Sequence, residues 1–240
     1  MDTAIRQRLD RTIRVRNLDL PSHHHHYIVL HHLYRWMEEV ALPRAHGVLL
    51  DCGCGGRAYA PPFTPRVTRY IGADVAVAVD TQVDLLLEPN RPVPLPDASV
   101  DMVLANQTLE HVSDPVFYVA ECHCLLKPGG SLVLTAPMQW RHHETPYDHH
   151  RFTRYGLEHH LGRPGFQIKD LRPCGGTFAL IGQIWLNFLV RHGARPPWLV
   201  RGINRVFLWL DQRYPDKDET INWMCLAEKP SAPAPVISSA

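Results

Sequence analysis

Two stretches of the sequence combine residue types that could bind a cofactor or move a proton. The first is GVLLDCGCGGR, residues 47–57, in which an apolar run ends at Asp51 and closely spaced glycines follow. The second is RHHETPYDHHR, residues 141–151, which is dense in imidazole and carboxyl groups. Glycine lets a backbone approach a ligand closely, and histidine can accept a proton near neutral pH. The two stretches therefore indicate a ligand-binding loop and a separate candidate for acid–base chemistry.

A metal is the first possible ligand of the glycine stretch. Cys52 and Cys54 have the spacing C-x-C, whereas structural zinc sites use C-x₂₋₄-C pairs. Cys52 also follows directly on a buried run, where a free cysteine packs as a small apolar side chain. We therefore predict no metal at these cysteines, and we expect all six cysteines of the chain to be reduced thiols.

A dinucleotide is the second possible ligand. Gly53, Gly55 and Ala58 fit the pattern G-x-G-x-x-G/A, and Asp74 could be the acid that binds a ribose. Asp51 argues against this interpretation, because a carboxylate beside a pyrophosphate would repel it. An acid in this place suits a cofactor that carries an ammonium group, and S-adenosylmethionine is such a cofactor. Its ribose would still require Asp74.

The elements that must position these residues are short apolar strands separated by helices or loops. Such an alternation predicts an α/β fold with a mostly parallel sheet, in which ligands bind at the carboxyl ends of the strands. The predicted strands lie near residues 47–52, 69–74, 83–88, 100–107, 131–137, 165–171 and 221–229. Polar residues stand at the predicted carboxyl ends, namely Asp51, Asp74, Glu88, Asn106 and Gln107.

Four segments, in this order, resemble the class I S-adenosylmethionine-dependent methyltransferases, in their small-molecule, type 11-like branch. They are VLLDCGCGG, YIGADV, PLPDASVDMVLANQTLEHVSDP and LLKPGGSLVLTAP. The resemblance implies a Rossmann-like, seven-stranded, mostly parallel sheet whose last strand is antiparallel. It divides the chain into a helical N-terminal segment (1–45), a cofactor-binding core (46–173), a helical insertion or lid between the last two strands (174–220), the last strand (221–229) and a disordered tail (230–240).

The resemblance also implies roles for individual residues around S-adenosylmethionine. Asp51, Gly53 and Gly55 would surround the methionine end, and Asp74 would bind the ribose hydroxyls. Glu88 would lie near the adenine, and Asn106 with Gln107 would line the sulfonium side. The chain departs from the family pattern at Arg57, which replaces the usual third glycine and is expected to reach outward.

A hydroxyl acceptor would need a base, and the stretch at 141–151 supplies the candidates. We predict that His143 or His149 takes the proton, with Asp148 and Tyr147 as further catalytic candidates. A solvated loop of the same composition is the alternative. A metal held jointly with the histidines at 23–26, 31 and 32 is a further alternative, because imidazole is a ligand for several transition metals, although nothing in the sequence brings these segments together. His111 is expected to be a packed residue that supports the cofactor loop.

The insertion carries an apolar stripe of leucine, isoleucine and valine at positions 199, 203, 206 and 210, with arginines at 201 and 205 opposite. A lid is the favoured interpretation, and a membrane-surface helix is the alternative. Four aromatic residues of the insertion could wall an acceptor pocket or a dimer interface: Trp185, Phe188, Phe207 and Trp209. The apolar run at 178–190 would span roughly 20 Å as a helix, against about 30 Å for a bilayer core, so we do not expect it to cross a membrane.

Composition restricts the partners and the compartment. A formal net charge of +1 gives no basic field for nucleic acid. The first 17 residues lack the apolar region of a signal peptide, so a cytoplasmic protein is expected. The predicted function is methyl transfer to a small or medium acceptor, at a hydroxyl of a natural-product or sugar-like scaffold. N- or C-methylation, a nicotinamide oxidoreductase and a non-catalytic cofactor-binding or membrane-associated protein are the alternatives.

Overall fold

A seven-stranded sheet forms the centre of the structure, a computed structural model that describes residues 20–75, 83–193 and 196–231. The strands are β1 (Val48–Cys52), β2 (Arg69–Asp74), β3 (Leu85–Leu86), β4 (Val100–Asn106), β5 (Leu126–Pro137), β6 (Gln167–Pro173) and β7 (Asn222–Glu228). Their order in the sheet is β3-β2-β1-β4-β5-β7-β6. All neighbouring pairs from β3 to β5 are parallel, and β7 is antiparallel to both β5 and β6. The predicted fold class is therefore confirmed.

Helices cover the sheet and connect its strands. They are α1 (Tyr27–Trp36), α2 (Ala60–Phe63), α3 (Pro115–Leu125), α4 (Arg154–Gly162), α5 (Thr177–Arg191) and α6 (Pro197–Arg213). The chain continues from α1 through a π turn and a 3-10 turn as far as Arg44. Polar side chains cap two of the helices: the Asp114 carboxylate accepts from the Phe117 N–H at the start of α3, and the Thr153 hydroxyl accepts from the Gly156 N–H at the start of α4.

The strands bury both of their faces, which explains their nearly continuous apolar sequences. In β1, Leu49 belongs to the core beneath α1, α5 and α6, whereas Leu50 belongs to the core beneath α3 and α4. Met102 and Val103 divide in the same way in β4. The two-residue period of a strand thus distributes one apolar run over two cores.

Two elements differ from the sequence-based expectation. The fifth strand was predicted at 131–137, but β5 already begins at Leu126 and includes the sequence KPGG at 127–130, and the register shifts between Val100 and Met102 of β4. The four residues therefore form a bulge, in which Lys127 Nζ lies 2.8 Å from Asp101. The third strand is shorter than the predicted 83–88, because only Leu85 and Leu86 pair with β2.

The insertion between β6 and β7 is helical, as the resemblance implied. Its helices α5 and α6 pack against each other and against α1. Asp211 of α6 connects all three: its carboxylate accepts from the N–H groups of Gly176 and Ala179 at the start of α5, and it lies 3.5 Å from His32 of α1. Trp185, Phe188, Trp198 and Trp209 remain exposed on its outer side.

Parts of four predicted segments lie outside the described residues, because the structure describes none of 1–19, 76–82, 194–195 and 232–240. The predicted disordered tail (230–240) therefore lies outside the described residues except for its first two positions. Of the helices in the described ranges, none has the length and apolar character needed to cross a bilayer.

Candidate active site

A cavity of about 540 Å³ lies at the carboxyl ends of β1, β2 and β4. The loop after β1 contributes Gly53 and Gly55, and the end of β2 contributes Asp74. The segments after β3 and β4 contribute Glu88 and Gln107, and α3 closes one wall. Carboxyl ends of adjacent parallel strands meet at one edge of a sheet, and this is why residues distant in sequence share the cavity.

The glycine loop is held against β2 by backbone hydrogen bonds. The N–H groups of Gly53 and Cys54 both donate to the Ala73 carbonyl, at 2.8 and 3.0 Å. The Gly55 N–H donates to Asp74 Oδ2 at 2.8 Å. Gly53 has φ +96°, and a β-carbon there would clash with the side chain of Thr108. Glycine is therefore required at this position by both its backbone angle and its surroundings.

Asp51 and Asn106 do not line the cavity, although the resemblance placed both around the cofactor. Asp51 is buried behind the glycine loop and accepts a short hydrogen bond from the Tyr70 hydroxyl. Burial, and then the nearby Asp74, raise its pKa to about 7, against a lowering contribution from the Tyr70 hydrogen bond. The Asn106 amide donates to the Tyr59 hydroxyl at 2.6 Å and accepts from Thr135. Both residues thus support the wall of the cavity from behind.

Arg57 does not reach outward as expected. It adopts the left-handed backbone of the glycine that it replaces, with φ +58°. Its guanidinium lies over the Tyr70 ring, 5.2 Å from the ring centroid, and 3.1 Å from Asp84 Oδ2. Asp84 in turn accepts from the Gly72 N–H at 2.7 Å. The arginine therefore fastens the cofactor loop to β2 and to the segment before β3.

The polar end of the cavity fits the nucleoside part of S-adenosylmethionine. Asp74 is only 1% exposed, yet it lines the cavity beside two glycines that leave room for a ligand. Such a carboxylate can accept from two adjacent hydroxyls, as a ribose diol requires. Glu88 lies at the same end, whereas Gln107 lies on the wall formed after β4.

The opposite end of the cavity is lined by residues of the stretch at 141–151. Tyr147 and His149 both line it, together with Glu144 and His111. His111 was expected to be a packed supporting residue, but the structure places it at the cavity, with its Nδ1 2.9 Å from the Tyr147 carbonyl oxygen. The predicted cofactor-binding residues and the predicted acid–base residues therefore share one cavity.

His143 and Asp148 lie behind this wall. His143 Nε2 is 3.8 Å from Glu110 Oε1, and His143 Nδ1 is 3.5 Å from Asp148 Oδ2. Burial opposes protonation of His143, but the carboxylates of Glu110 and Asp148 together with Glu144 raise its pKa above the ordinary value. Asp148 is buried too, yet the bonds that it accepts from Arg151 and the His143 N–H hold its pKa well below the usual range. Asp148 therefore acts as an anchor for the loop.

Sequence reasoning missed Glu110, whose side chain is fully buried beneath the loop. Its carbonyl accepts from the N–H groups of His149 and His150, at 2.9 and 3.2 Å, and so fixes the loop to the turn after β4. The sequence signal that could have identified Glu110 is its position directly before His111 and close to the end of a buried strand. Arg151 was also missed, and it pairs with Asp148 at 2.6 Å.

A second cavity, of about 630 Å³, lies between the segment after β5 and helix α5. Its walls are formed by Trp140, Leu180, Ile184 and Phe188, with Arg141 and Arg191 at the rim. The insertion borders this cavity, and no residue of the insertion lines the first one within the ranges that the structure describes. Of the four predicted wall aromatics, Phe188 lines the second cavity and Phe207 packs against Trp185.

Comparisons with known proteins agree with this fold and cavity. Residues 50–134 match the family described as Methyltransferase domain. A probable S-adenosylmethionine-dependent methyltransferase of Mycolicibacterium smegmatis is 29% identical over 158 residues, which are 60% of this chain and 60% of that protein. A ubiquinone biosynthesis O-methyltransferase of Acinetobacter baylyi is 24% identical over 190 residues, which are 65% of this chain and 80% of that protein. The chain thus spans less than two thirds of the length of the first of these relatives.

The similarity of fold extends beyond methyl transfer. The crystal structure of the cyclase SpnF superimposes with a TM-score of 0.57 at 22% identity, covering 83% of this chain and 82% of that chain. The strand order and the cavity at the strand ends are those of a Rossmann-like fold. Over residues 50–134 the chain is therefore similar to the methyltransferase domain family, and over a longer stretch it is similar to S-adenosylmethionine-dependent methyltransferases.

Proposed function

We propose that the chain transfers a methyl group from S-adenosylmethionine to a hydroxyl of a small or medium acceptor. The observation that carries this proposal is the single cavity bounded by Asp74 and Glu88 at one end and by Tyr147 and His149 at the other. A cofactor held at the first end would present its reactive group toward the second. Proximity of this kind is the main contribution that a protein makes to a displacement reaction.

Each residue has one task in this proposal. S-adenosylmethionine supplies a methyl group that its sulfonium leaving group already activates. Asp74 accepts hydrogen bonds from the ribose, Glu88 from the adenine amino group, and Gln107 lines the path between the two ends. His149 takes the proton of the acceptor hydroxyl on an imidazole nitrogen, and the Tyr147 hydroxyl orients the acceptor.

The surroundings favour an acceptor with an apolar body. The second cavity has aromatic and aliphatic walls and lies beside the segment that carries the histidines. The Acinetobacter relative is by name an O-methyltransferase of ubiquinone biosynthesis, which is consistent with oxygen as the methylated atom. A natural-product or sugar-like scaffold remains the proposed substrate class, with an aromatic or aliphatic portion that the second cavity could receive.

A labelling experiment tests this function. The protein is incubated with S-adenosylmethionine labelled at the methyl group and with a panel of phenolic, aliphatic and sugar-linked hydroxyl acceptors. We expect label in an O-methyl ether with at least one acceptor class. We expect His149→Asn to lower the rate by about 10²- to 10⁴-fold while cofactor binding persists. The exposed histidine His142 provides the matched control, His142→Asn.

Two results would contradict the proposal. If the label were found only on nitrogen or carbon, the methylated group would not be a hydroxyl, and N- or C-methylation would be the reaction instead. Conversion of a substrate without label transfer would indicate a different reaction on the same fold, since the similar structure of SpnF is that of a cyclase.

A further inference from the structure

Glu110, His111 and His143 bring their side chains together where the turn after β4 meets the histidine loop. One donor atom from each of the three lies within 4.8 Å of the other two. His111 Nε2 is 3.9 Å from Glu110 Oε1, and His143 Nε2 is 3.8 Å from the same oxygen. Both imidazoles thus direct the same nitrogen, Nε2, toward one carboxylate.

The Glu110 carboxylate is the second, independent observation. Its side chain is 0% exposed, and neither of its oxygens has a hydrogen-bond partner. Distances of 3.8 and 3.9 Å are too long for hydrogen bonds to the imidazoles. A buried carboxylate without a hydrogen-bond partner is unfavourable unless a positive charge compensates it. An ion between the three donors would supply that charge.

The two imidazoles are oriented as metal ligands. His111 Nδ1 lies 2.9 Å from the Tyr147 carbonyl oxygen, which can only accept a hydrogen bond. The proton of the neutral ring must therefore be on Nδ1, and Nε2 keeps its lone pair for a ligand bond. His143 Nδ1 lies 3.5 Å from Asp148 Oδ2 without a hydrogen bond between them, close enough for a small ring rotation to form the carboxylate–imidazole pair that commonly supports a metal ligand.

The turn and the loop are joined independently of these side chains. Backbone hydrogen bonds connect the Glu110 carbonyl with His149 and His150, and Arg151 anchors the loop through Asp148. Ligands about 2.0–2.2 Å from one ion are separated by about 3–3.5 Å. The donor atoms, all within 4.8 Å of one another, would therefore have to approach by side-chain movements of up to about 1 Å to reach coordination distance.

We propose that Glu110, His111 and His143 form a binding site for a divalent transition-metal ion. Two imidazoles and one carboxylate suit zinc, cobalt, iron or manganese, whereas magnesium and calcium prefer oxygen ligands. Glu144 Oε2, 3.9 Å from His111 Nε2, is available as a fourth ligand. The expectation of no metal at the cysteines is unaffected, because none of the six belongs to this group.

The position of the ion has a chemical consequence that rests on the proposed function. His111 and Glu144 line the cofactor cavity, so the remaining coordination positions open toward the acceptor end. An acceptor oxygen bound there would lose its proton more readily, because the ion stabilises the oxyanion. His143 would then be a metal ligand, and His149 would remain as the proton acceptor.

Cobalt titration tests the site without any methyl-transfer assay. The full chain is stripped with a chelator and titrated with Co²⁺, whose visible absorption reports the ligands, and Zn²⁺ is then used to displace it. We expect one equivalent of Co²⁺ to bind to the wild type and to His142→Asn, whose imidazole is 89% exposed. His111→Asn and His143→Asn should each weaken binding by at least about 10- to 100-fold, the range known for supporting residues.

Circular dichroism and calorimetric titration with S-adenosylmethionine accompany each variant. Intact cofactor binding in a variant that has lost Co²⁺ separates the metal site from the proposed function. Absence of Co²⁺ binding in the wild type would overturn the proposal. Equal binding by the wild type and by both folded variants would also overturn it, since the metal would then be bound elsewhere, for example by the histidines at 23–26.

Discussion

Asp51 lies behind the glycine loop, in contact with Tyr70, and so acts on the cofactor cavity only through that loop. Its carboxyl group is buried and has a pKa of about 7, well above the ordinary value. The charge that argued against a dinucleotide is therefore partly neutralised at physiological pH in the protein without cofactor. The prediction of S-adenosylmethionine rather than a dinucleotide as cofactor therefore depends more on Asp74 and on the family motifs than on Asp51.

The raised pKa of Asp51 predicts a specific dependence of stability on pH. The folded state holds this proton more tightly than the unfolded chain, so the contribution of Asp51 is most favourable below pH 4 and declines as pH rises to about 7. Asp51→Asn removes the titration. We expect the free energy of unfolding of the variant, relative to wild type, to increase by up to about 4 kcal/mol between pH 4 and pH 8.

Urea unfolding at several pH values measures this difference. Asp97→Asn, at an exposed position, is the matched control and should show little change. A difference between Asp51→Asn and wild type that stays constant over the whole range would show that Asp51 does not titrate as described.

At the scale of elements, the conformation of the loop after β1 depends on Gly53, which has a positive φ and no room for a side chain. Gly53→Ala places a β-carbon against Thr108 and forces alanine into a positive φ. We expect a loss of about 1–2 kcal/mol or more in the free energy of unfolding, and a weaker affinity for S-adenosylmethionine. Gly162→Ala is the control, because a β-carbon there would have no neighbour within 4 Å. Unchanged cofactor affinity in folded Gly53→Ala would contradict the role assigned to the loop.

The first N–H groups of helix α5 donate to the side chain of Asp211 in α6, and this capping interaction can be tested separately. Asp211→Ala removes the acceptor of two N–H groups and leaves them buried. Because charged hydrogen bonds are worth about 1.5–3 kcal/mol, we expect a loss of this order in the free energy of unfolding, measured by urea denaturation at pH 7. Asp211→Asn keeps a side-chain acceptor and should therefore lose less of the free energy of unfolding than Asp211→Ala. The exposed Asp218→Ala is the control, and an equal loss there would refute the capping role.

The sequence predicted the strands well because their apolar runs report burial directly. Leu49 and Leu50 enter different cores, as expected for a short continuous apolar run that forms a strand covered on both sides. Positions set by distant contacts could not be predicted. Arg57 points inward because its guanidinium pairs with Asp84 and lies over the Tyr70 ring. The KPGG sequence forms a bulge because β5 pairs with β4 on both sides of it.

The same distinction applies to the candidate site. Gly53, Asp74 and Glu88 could be placed at one cavity because strand ends converge in a parallel sheet. The contact of His143 with Glu110 could not be foreseen, because the loop at 141–151 is positioned by backbone hydrogen bonds to the turn after β4. Local sequence patterns contain no information about such a pairing.

For the whole molecule, the central claim is that the cavity at the strand ends binds S-adenosylmethionine through Asp74. Calorimetric titration of the full chain with S-adenosylmethionine tests it most directly, with NAD as the competing cofactor and Asp97→Ala as the control variant. We predict binding of one equivalent of S-adenosylmethionine, no comparable binding of NAD, and an affinity about 10- to 100-fold weaker in Asp74→Ala. An unchanged affinity in folded Asp74→Ala, or tighter binding of NAD than of S-adenosylmethionine, would contradict the account.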